Sequence, residues 1–492
     1  MSLLHFGPFT VDWRGATLSR GGGIVPLSPR LVQVLACLAD ARGALVTREL
    51  LLERFWPDVT VADNTLTRAI ADIRKALDDD PRAPRFIQTM ARRGYRFLAD
   101  VAEEADAPAG PGAGAVTPTF AGLEPFVAWE RGRVALESLA VAELPVAVEA
   151  FSRAVAGAPQ YAPAYAGLAN AHVFRFEATR VDDEPDAAAL VQAIAAATRA
   201  TTLDPSMGEG WAALGHALAA GGRMDEARAA LRQATALEPR NWRHQYRLAV
   251  ATWGEERLRA VERAEALLPG FPGARTLAAM VLVARQAFGP AADAAARGAA
   301  AQSAQHDHSL YPANGLLWMR GLTAFARGQV AVALDDFAAE AAFSDTAGTV
   351  YARECRVLAH EAVGFALLAD GRRRDEARAA FGAALAASAG HARAVLGQAL
   401  VDGAAGDTAA RVSGACARLE TTGKHVERAL VLAAAEAWRG RPADGLRLAE
   451  QAIDGPAPDT AGWSLPADPI FAPLRAADGY ARLAARLASR AA

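Results

Sequence analysis

The feature that most constrains this chain is a spacing of small, large and proline residues that returns repeatedly from about residue 145 onward. Trp211, Leu214, Gly215, Leu218, Ala227, Leu231, Ala234 and Pro239 lay out one full copy. Ala147, Phe151, Ala154 and Pro159 repeat its second half, and so do Ala193, Ala197, Ala200 and Pro205. Ala333 and Phe337, then Ala377, Phe381 and Ala384, continue it more weakly. Small residues let two antiparallel helices approach, one large residue fills the groove between them, and proline ends the second helix. No such pair buries its apolar face alone, so successive pairs must stack. About eight or nine pairs fit between Leu123 and Pro456. Those from Trp242 to Gln302 are shorter and degenerate, and Glu177–Asp186 reads as an insertion within the second.

A chain of 492 residues exceeds one ordinary core, so at least two domains are expected. Hydrophobic residues make up 52%, much of it alanine, which favours tightly packed helices. Aromatic residues are only 7%, so large aromatic cores are not expected. The net charge of -3 points to no polyanion partner, but its distribution does. Residues 1–101 hold 14 Lys+Arg against 11 Asp+Glu, and the remainder 38 against 44, so the basic excess sits at the N-terminus. Cys37, Cys355 and Cys416 are odd in number and far apart; they read as buried free thiols of a reducing compartment. The opening MSLLHFGPFTVDW lacks a signal peptide's charged and apolar regions. No uncharged apolar run reaches the roughly 18–20 residues of a membrane span, so a soluble, cytoplasmic protein is expected, with no membrane partner.

The first hundred residues follow a different pattern. His5–Val25 alternates apolar and polar residues around turn signals at Trp13-Arg14-Gly15 and Gly21-Gly22-Gly23, as short strands do. Ser28 before Pro29 marks the start of a helix with a buried stripe of Leu31, Val34, Leu35 and Leu38, ended by Gly43. Thr47 can cap a second helix carrying Leu50, Leu51 and Phe55, closed by Pro57. Asp63 can cap a third, DNTLTRAIADIRKAL, whose Leu66, Ile70, Ile73 and Leu77 form one apolar stripe. Its other side presents Asn64, Thr67, Arg68, Ala71, Arg74 and Lys75, with Asp72 among them to repel phosphate. Arginine pairs bidentately with a guanine edge, Thr and Asn suit phosphate or adenine, and a small Ala71 lets the backbone approach. Phe86-Ile87 and Tyr95-Arg96-Phe97 supply two strands of a hairpin with Arg92 and Arg93 near its turn, where Gly94 can take the required angles.

Taken in order, PLSPRLVQVLACLA, RELLLERFW, DNTLTRAIADIRKAL and RRGYRF over about residues 3–100 resemble the winged-helix DNA-binding domain of the OmpR/PhoB class, closest to its CadC/ToxR-like branch. The resemblance implies that the third helix enters the major groove while the wing touches the adjacent minor groove. The implied DNA-contacting set is Asn64, Thr67, Arg68, Ala71, Arg74, Lys75, Arg92, Arg93 and Tyr95. No receiver domain precedes residue 1 and no membrane span follows, so control is expected to lie elsewhere. Asp72 departs from the more basic recognition helices of many response regulators.

The repeats resemble tetratricopeptide repeats, which implies a right-handed superhelix with a concave groove for a peptide or protein. The tail Asp468–Leu487 resembles the closing helix of such arrays. The expected fold is mainly α: an α+β winged helix-turn-helix at 1–101, a flexible linker at 102–120, an all-α tetratricopeptide array at 121–460 and a capping helix region at 461–492. As a coil the linker spans about 20–25 Å. His306-Asp307-His308 lacks the further ligands a metal needs, and Gly21–Gly23 lacks the lysine of a phosphate loop. Trp211, Trp242, Trp253 and Trp318 fall near repeat positions and read as core. No catalytic residue, metal or cofactor is expected. The reading is therefore a bacterial transcriptional regulator, not an enzyme, that binds double-stranded DNA as a homodimer on repeated half-sites, while its array senses a protein or peptide partner or mediates self-association. The alternative is a cytoplasmic scaffold whose repeats assemble partner proteins; an array that binds a small molecule is a third reading.

Overall fold

Alternation between His5 and Val25 becomes four short antiparallel strands: β1 (Leu3–Phe6), β2 (Phe9–Asp12), β3 (Thr17–Arg20) and β4 (Gly23–Val25). The computed structural model describes residues 3–12, 17–21, 23–25, 27, 29–55, 64–90, 93–103, 124–182, 184–304, 313–371, 373–403, 405–421, 423–455 and 459–492. The chain divides into two compact units, the smaller built mostly from the residues up to Thr119 and the larger from those after it.

In the smaller unit α1 (Pro29–Asp40), β5 (Leu45–Thr47), α2 (Arg48–Phe55) and α3 (Asn64–Leu77) follow, then the hairpin β6 (Ile87–Met90) and β7 (Gly94–Phe97). A last short strand, β8 (Ala102–Glu103), pairs with β1 through Leu4 and His5, so the sheet order is β4-β3-β2-β1-β8. This strand falls at the start of the segment expected to be linker. The remainder of the expected linker, the cap at Asp63, the turn at Trp13-Arg14-Gly15 and Pro57 lie outside the described residues. Thr47 caps α2 as expected, its hydroxyl accepting from the Leu50 amide at 3.2 Å. Leu66, Ile70, Ile73 and Leu77 all lie in the core.

Three expectations are corrected here. Leu31 is only half-buried and Val32 takes its place in the core, a shift of one position around the helix. Leu50 is 47% exposed. Large aromatic cores do exist: Phe6, Phe9, Phe86 and Phe97 pack edge-on and tilted, with ring centroids 4.9 Å apart for Phe6–Phe97 and 5.5 Å for Phe9–Phe86. A chain-wide average hid this because it cannot show that four phenylalanines, from distant parts of the sequence, meet in one small core.

In the larger unit, eighteen helices run from Glu124 to Asp454 among the described residues. Most of them follow one another through short turns, as antiparallel pairs require. The expected small and large residues do the packing. Ala147, Ala154, Ala193, Ala197, Ala200, Ala227, Ala234, Ala333, Ala377 and Ala384 are fully buried. A Cβ on Gly167 would meet Phe151 at 2.2 Å, on Gly215 Leu231 at 2.4 Å, on Gly321 Phe337 at 2.5 Å, and on Gly397 Phe381 at 2.1 Å. Each groove is therefore filled by one large side chain, and only glycine opposite it leaves room. The weak pair of the sequence, Trp242–Ala251 and Gly254–Leu267, is short but helical. Of the three free cysteines only Cys416 is buried; Cys37 and Cys355 are half-buried, because each sits at the margin of a helix's core face.

First helices of neighbouring pairs touch one another, as do Ala162–Ala178 and Gly208–Ala220, or Ala352–Asp370 and Ala392–Asp402. That side of the stack is the tighter one, so the first helices line the inside of the coil. The coil also meets itself. Val141 N–H donates to Gly348 O at 3.0 Å, and Val350 N–H to Leu139 O at 3.0 Å. The loop after Ala178, where the insertion was expected, pairs Arg180 with Glu354 and Asp182 with Arg353. Its Val181 carbonyl accepts from Ser388 at 2.5 Å and its Arg180 carbonyl from Lys424 at 3.2 Å. The tail does more than cap the last pair. Helix Tyr480–Arg490 packs on Pro442–Asp454, with Arg486 bonded to Asp454 at 2.8 Å. Its end then reaches back to the first helix of the fifth pair, Pro272–Ala284, where Ala491 is buried with Val281 and Ala284. Among the described residues no helix is long and apolar enough to cross a membrane.

Candidate nucleic-acid interface

Helix α3 divides cleanly. Its apolar stripe faces the core, and Thr67, Arg68, Ala71, Asp72 and Lys75 are exposed. Positions 67, 68, 71 and 75 share one face because they are three or four residues apart. A helix with two long cations and one small residue on that face fits a major groove. Asp72 stands on the flank of the same surface. The side chain of Asn64 lies outside the described residues, as does all of Arg92.

Arg74 is placed differently from its neighbours. It is half-buried, and its Nη2 donates to the Ile87 carbonyl at 2.7 Å and to Thr89 Oγ1 at 2.8 Å. Both acceptors belong to β6, so Arg74 fastens the helix to the wing. Tyr95 is also inward: its residue is 3% exposed, and its hydroxyl accepts from Arg48 Nη1 at 3.3 Å. It ties the wing to the start of α2. Arg93, at the tip of the wing, is exposed.

A residue the sequence reading passed over holds this geometry. Asp79, two residues beyond α3, is buried, and its carboxylate accepts the Arg85, Phe86 and Ile87 amides at 2.6, 3.2 and 2.9 Å. Three backbone donors at the entry to β6 are thus satisfied by one side chain at the exit of α3. Nothing in the run Asp78-Asp79-Asp80 sets Asp79 apart from its neighbours, because the amides it serves lie six to eight residues further on. Gly94 opens β7 with φ +150, and a Cβ there would lie 2.0 Å from the Val46 carbonyl, so β5 and β7 can pair only over glycine. The His306-Asp307-His308 segment lies outside the described residues, and no group of metal-ligating side chains occurs among those described.

Residues 22–97 match the family described as "Transcriptional regulatory protein, C terminal". The transcriptional activator CadC of Escherichia coli K12 is 33% identical over 85 residues, covering 17% of this chain and 17% of that protein. The transcriptional regulatory protein KdpE of Mycobacterium tuberculosis is 38% identical over 92 residues, covering 18% of this chain and 41% of that one. The solved DNA-binding domain of Klebsiella pneumoniae RstA, in complex with the RstA box, is 31% identical with a TM-score of 0.19; the match covers 20% of this chain and 98% of that one. The chain thus spans less than half the length of these curated relatives. With its three helices, its wing and its matched residues, the N-terminal domain belongs to the OmpR/PhoB-type winged-helix DNA-binding domains, here carried on tetratricopeptide-like helix pairs.

Proposed function

We propose that the chain is a transcriptional regulator that reads promoter DNA with α3 and the wing, and whose helix array senses or binds a protein partner. The observation that carries this is the exposed face of Thr67, Arg68, Ala71 and Lys75 in a domain related to those of CadC and KdpE. Arg68 is the base-reading candidate, Lys75 and Arg93 the phosphate-binding ones. Asn64 and Arg92 complete the contacting set. Arg74 and Tyr95 act as positioning residues, holding helix and wing at a fixed spacing. The RstA domain's complex with its box supports the same mode here. One such domain makes few base contacts, so two copies on repeated half-sites supply useful specificity. The protein works in the cytoplasm, free of the membrane, and no catalytic role is assigned.

Sequencing the genomic fragments that the full chain retains supplies the operator for the test. On that operator Arg68→Ala weakens specific binding by about 1–3 kcal/mol. Lys75→Ala weakens binding to all sequences and lowers the salt slope by about one unit. An Arg68→Ala/Lys75→Ala double variant with unchanged affinity at every salt concentration overturns the proposal.

A further inference from the structure

The inner face of the coil is not empty. Beyond Asp454 the chain abandons the repeat pattern and runs in tight turns and a 3-10 helix, Pro469–Ala476, before its final helix. This irregular stretch lies against successive first helices. Trp463 stands edge-on to Trp318, ring centroids 6.0 Å apart. Asp468, 1% exposed, meets Arg393 Nη2 at 2.6 Å, and the same guanidinium contacts Glu361 at 2.8 Å. Trp438 Nε1 donates to the Ile470 carbonyl at 2.7 Å. Trp318, Glu361, Arg393 and Trp438 come from the first helices of pairs six, seven, eight and nine.

These contacts are those of a bound peptide: one side-chain carboxylate, one main-chain carbonyl, and apolar side chains between them. The same stretch also buries Leu465, Ile470, Phe471 and Leu474 among side chains of the array, with Leu474 seated against Gly445. The electrostatics permit departure. Removing Asp468 leaves Arg393 still paired with Glu361, so no isolated charge is stranded in the groove, whereas a buried pair broken in half costs several kcal/mol.

We propose that the inner face of pairs six to nine is a peptide-binding groove which residues Asp459–Ala477 occupy in cis, and that its partner in trans is a protein segment of the same chemistry. That segment carries a carboxylate for Arg393, then proline and two bulky apolar residues, as Asp468-Pro469-Ile470-Phe471 does. The inference rests on the partner-sensing role proposed above. It is tested without DNA, so its failure leaves the DNA-reading proposal standing.

The full chain is given a protease site at residues 456–458 and cleaved, so that its tail is held only by contacts. A fluorescent synthetic peptide of residues 459–492 is then offered in excess. The labelled peptide is expected to exchange into the cleaved protein and not into the uncut one. An unlabelled peptide with Asp468→Ala should compete at least tenfold more weakly, and Arg393→Ala in the full chain should reduce capture to a similar degree. Circular dichroism reports whether the cleaved protein stays folded. Three results overturn the proposal: no exchange in a folded cleaved protein, loss of the fold when the tail is cut, or equal competition by the Asp468→Ala peptide. A tail that cannot leave, or that the array cannot survive without, is core and not a ligand.

Discussion

Arg74 distinguishes a helix that merely carries arginines from one whose arginines have separate duties. Replacing it by alanine removes a 2.7 Å bond to Ile87 O and a 2.8 Å bond to Thr89 Oγ1. A typical intramolecular hydrogen bond contributes about 0.5–1.5 kcal/mol net. The guanidinium's charge raises that figure and its partial exposure lowers it, so about 1–2 kcal/mol is the expected loss for the pair. The loss is local, because both bonds join α3 to β6. Hydrogen exchange of the full chain, followed by mass spectrometry, reads it directly. Amides of β6 and β7 should exchange about 5–30-fold faster, the equivalent of 1–2 kcal/mol, while the helix array is unchanged. The salt dependence of DNA binding should keep its slope, since no phosphate contact has been deleted. Both bonds come from the single Nη2, so Arg74→Lys should recover part of the loss wherever its ammonium reaches the two acceptors. If the wing's exchange is unaffected and the slope falls by one unit, the side chain belongs to DNA and the reasoning fails.

Three further outcomes follow from the same contacts. Asp79→Ala leaves three amides at the head of β6 without an acceptor and should destabilise the N-terminal domain by about 3–5 kcal/mol, seen as a lower urea midpoint for that domain; an unchanged midpoint refutes it. Burial, with Arg247 beside it, pushes the His216 imidazole down to about 3, so below pH 6.5 the unfolded chain binds a proton that the folded chain refuses. Stability of the array should therefore be full above pH 6.5 and fall as pH drops toward 3, and His216→Phe should flatten the dependence of the urea midpoint between pH 7 and 5. Finally, the array should lose exchange protection as one unit in urea, its first and second pairs together with its sixth to eighth; early fraying of the first pair alone would contradict the contacts across the coil.

What the sequence made legible was local. The stripe Leu66, Ile70, Ile73 and Leu77 and the alanine–phenylalanine spacing of the repeats each depend on one helical period, and the structure follows them residue for residue. The surface of α3 was readable for the same reason: once the stripe is fixed, Thr67, Arg68, Ala71 and Lys75 must face outward. Period alone cannot say whether an outward-pointing cation is then claimed by a neighbouring strand. Arg74 and Lys75 look alike in sequence, yet only Arg74 has Ile87 O within reach. Asp79 escaped notice because its value lies in three amides six to eight residues away, on a strand whose path the helix does not encode.

The array makes the same point at longer range. A repeat protein whose units touch only their neighbours has a stability that sums pair by pair. Here the coil turns far enough for Leu139 to bond Val350 and for Arg180 to pair with Glu354, and the tail carries Arg285's guanidinium onto the Ala491 carbonyl at 2.8 Å. Apart from Glu354, in the first turn of helix Ala352–Asp370, these residues sit in the loops and the tail, where the period is broken. The departures from the repeat are thus what close the coil, and they are the places where it can be opened. A partner that engages the inner face of pairs six to nine must displace the tail, and with it the link from the ninth pair back to the fifth. Binding at the groove and loosening of the coil would then be one event.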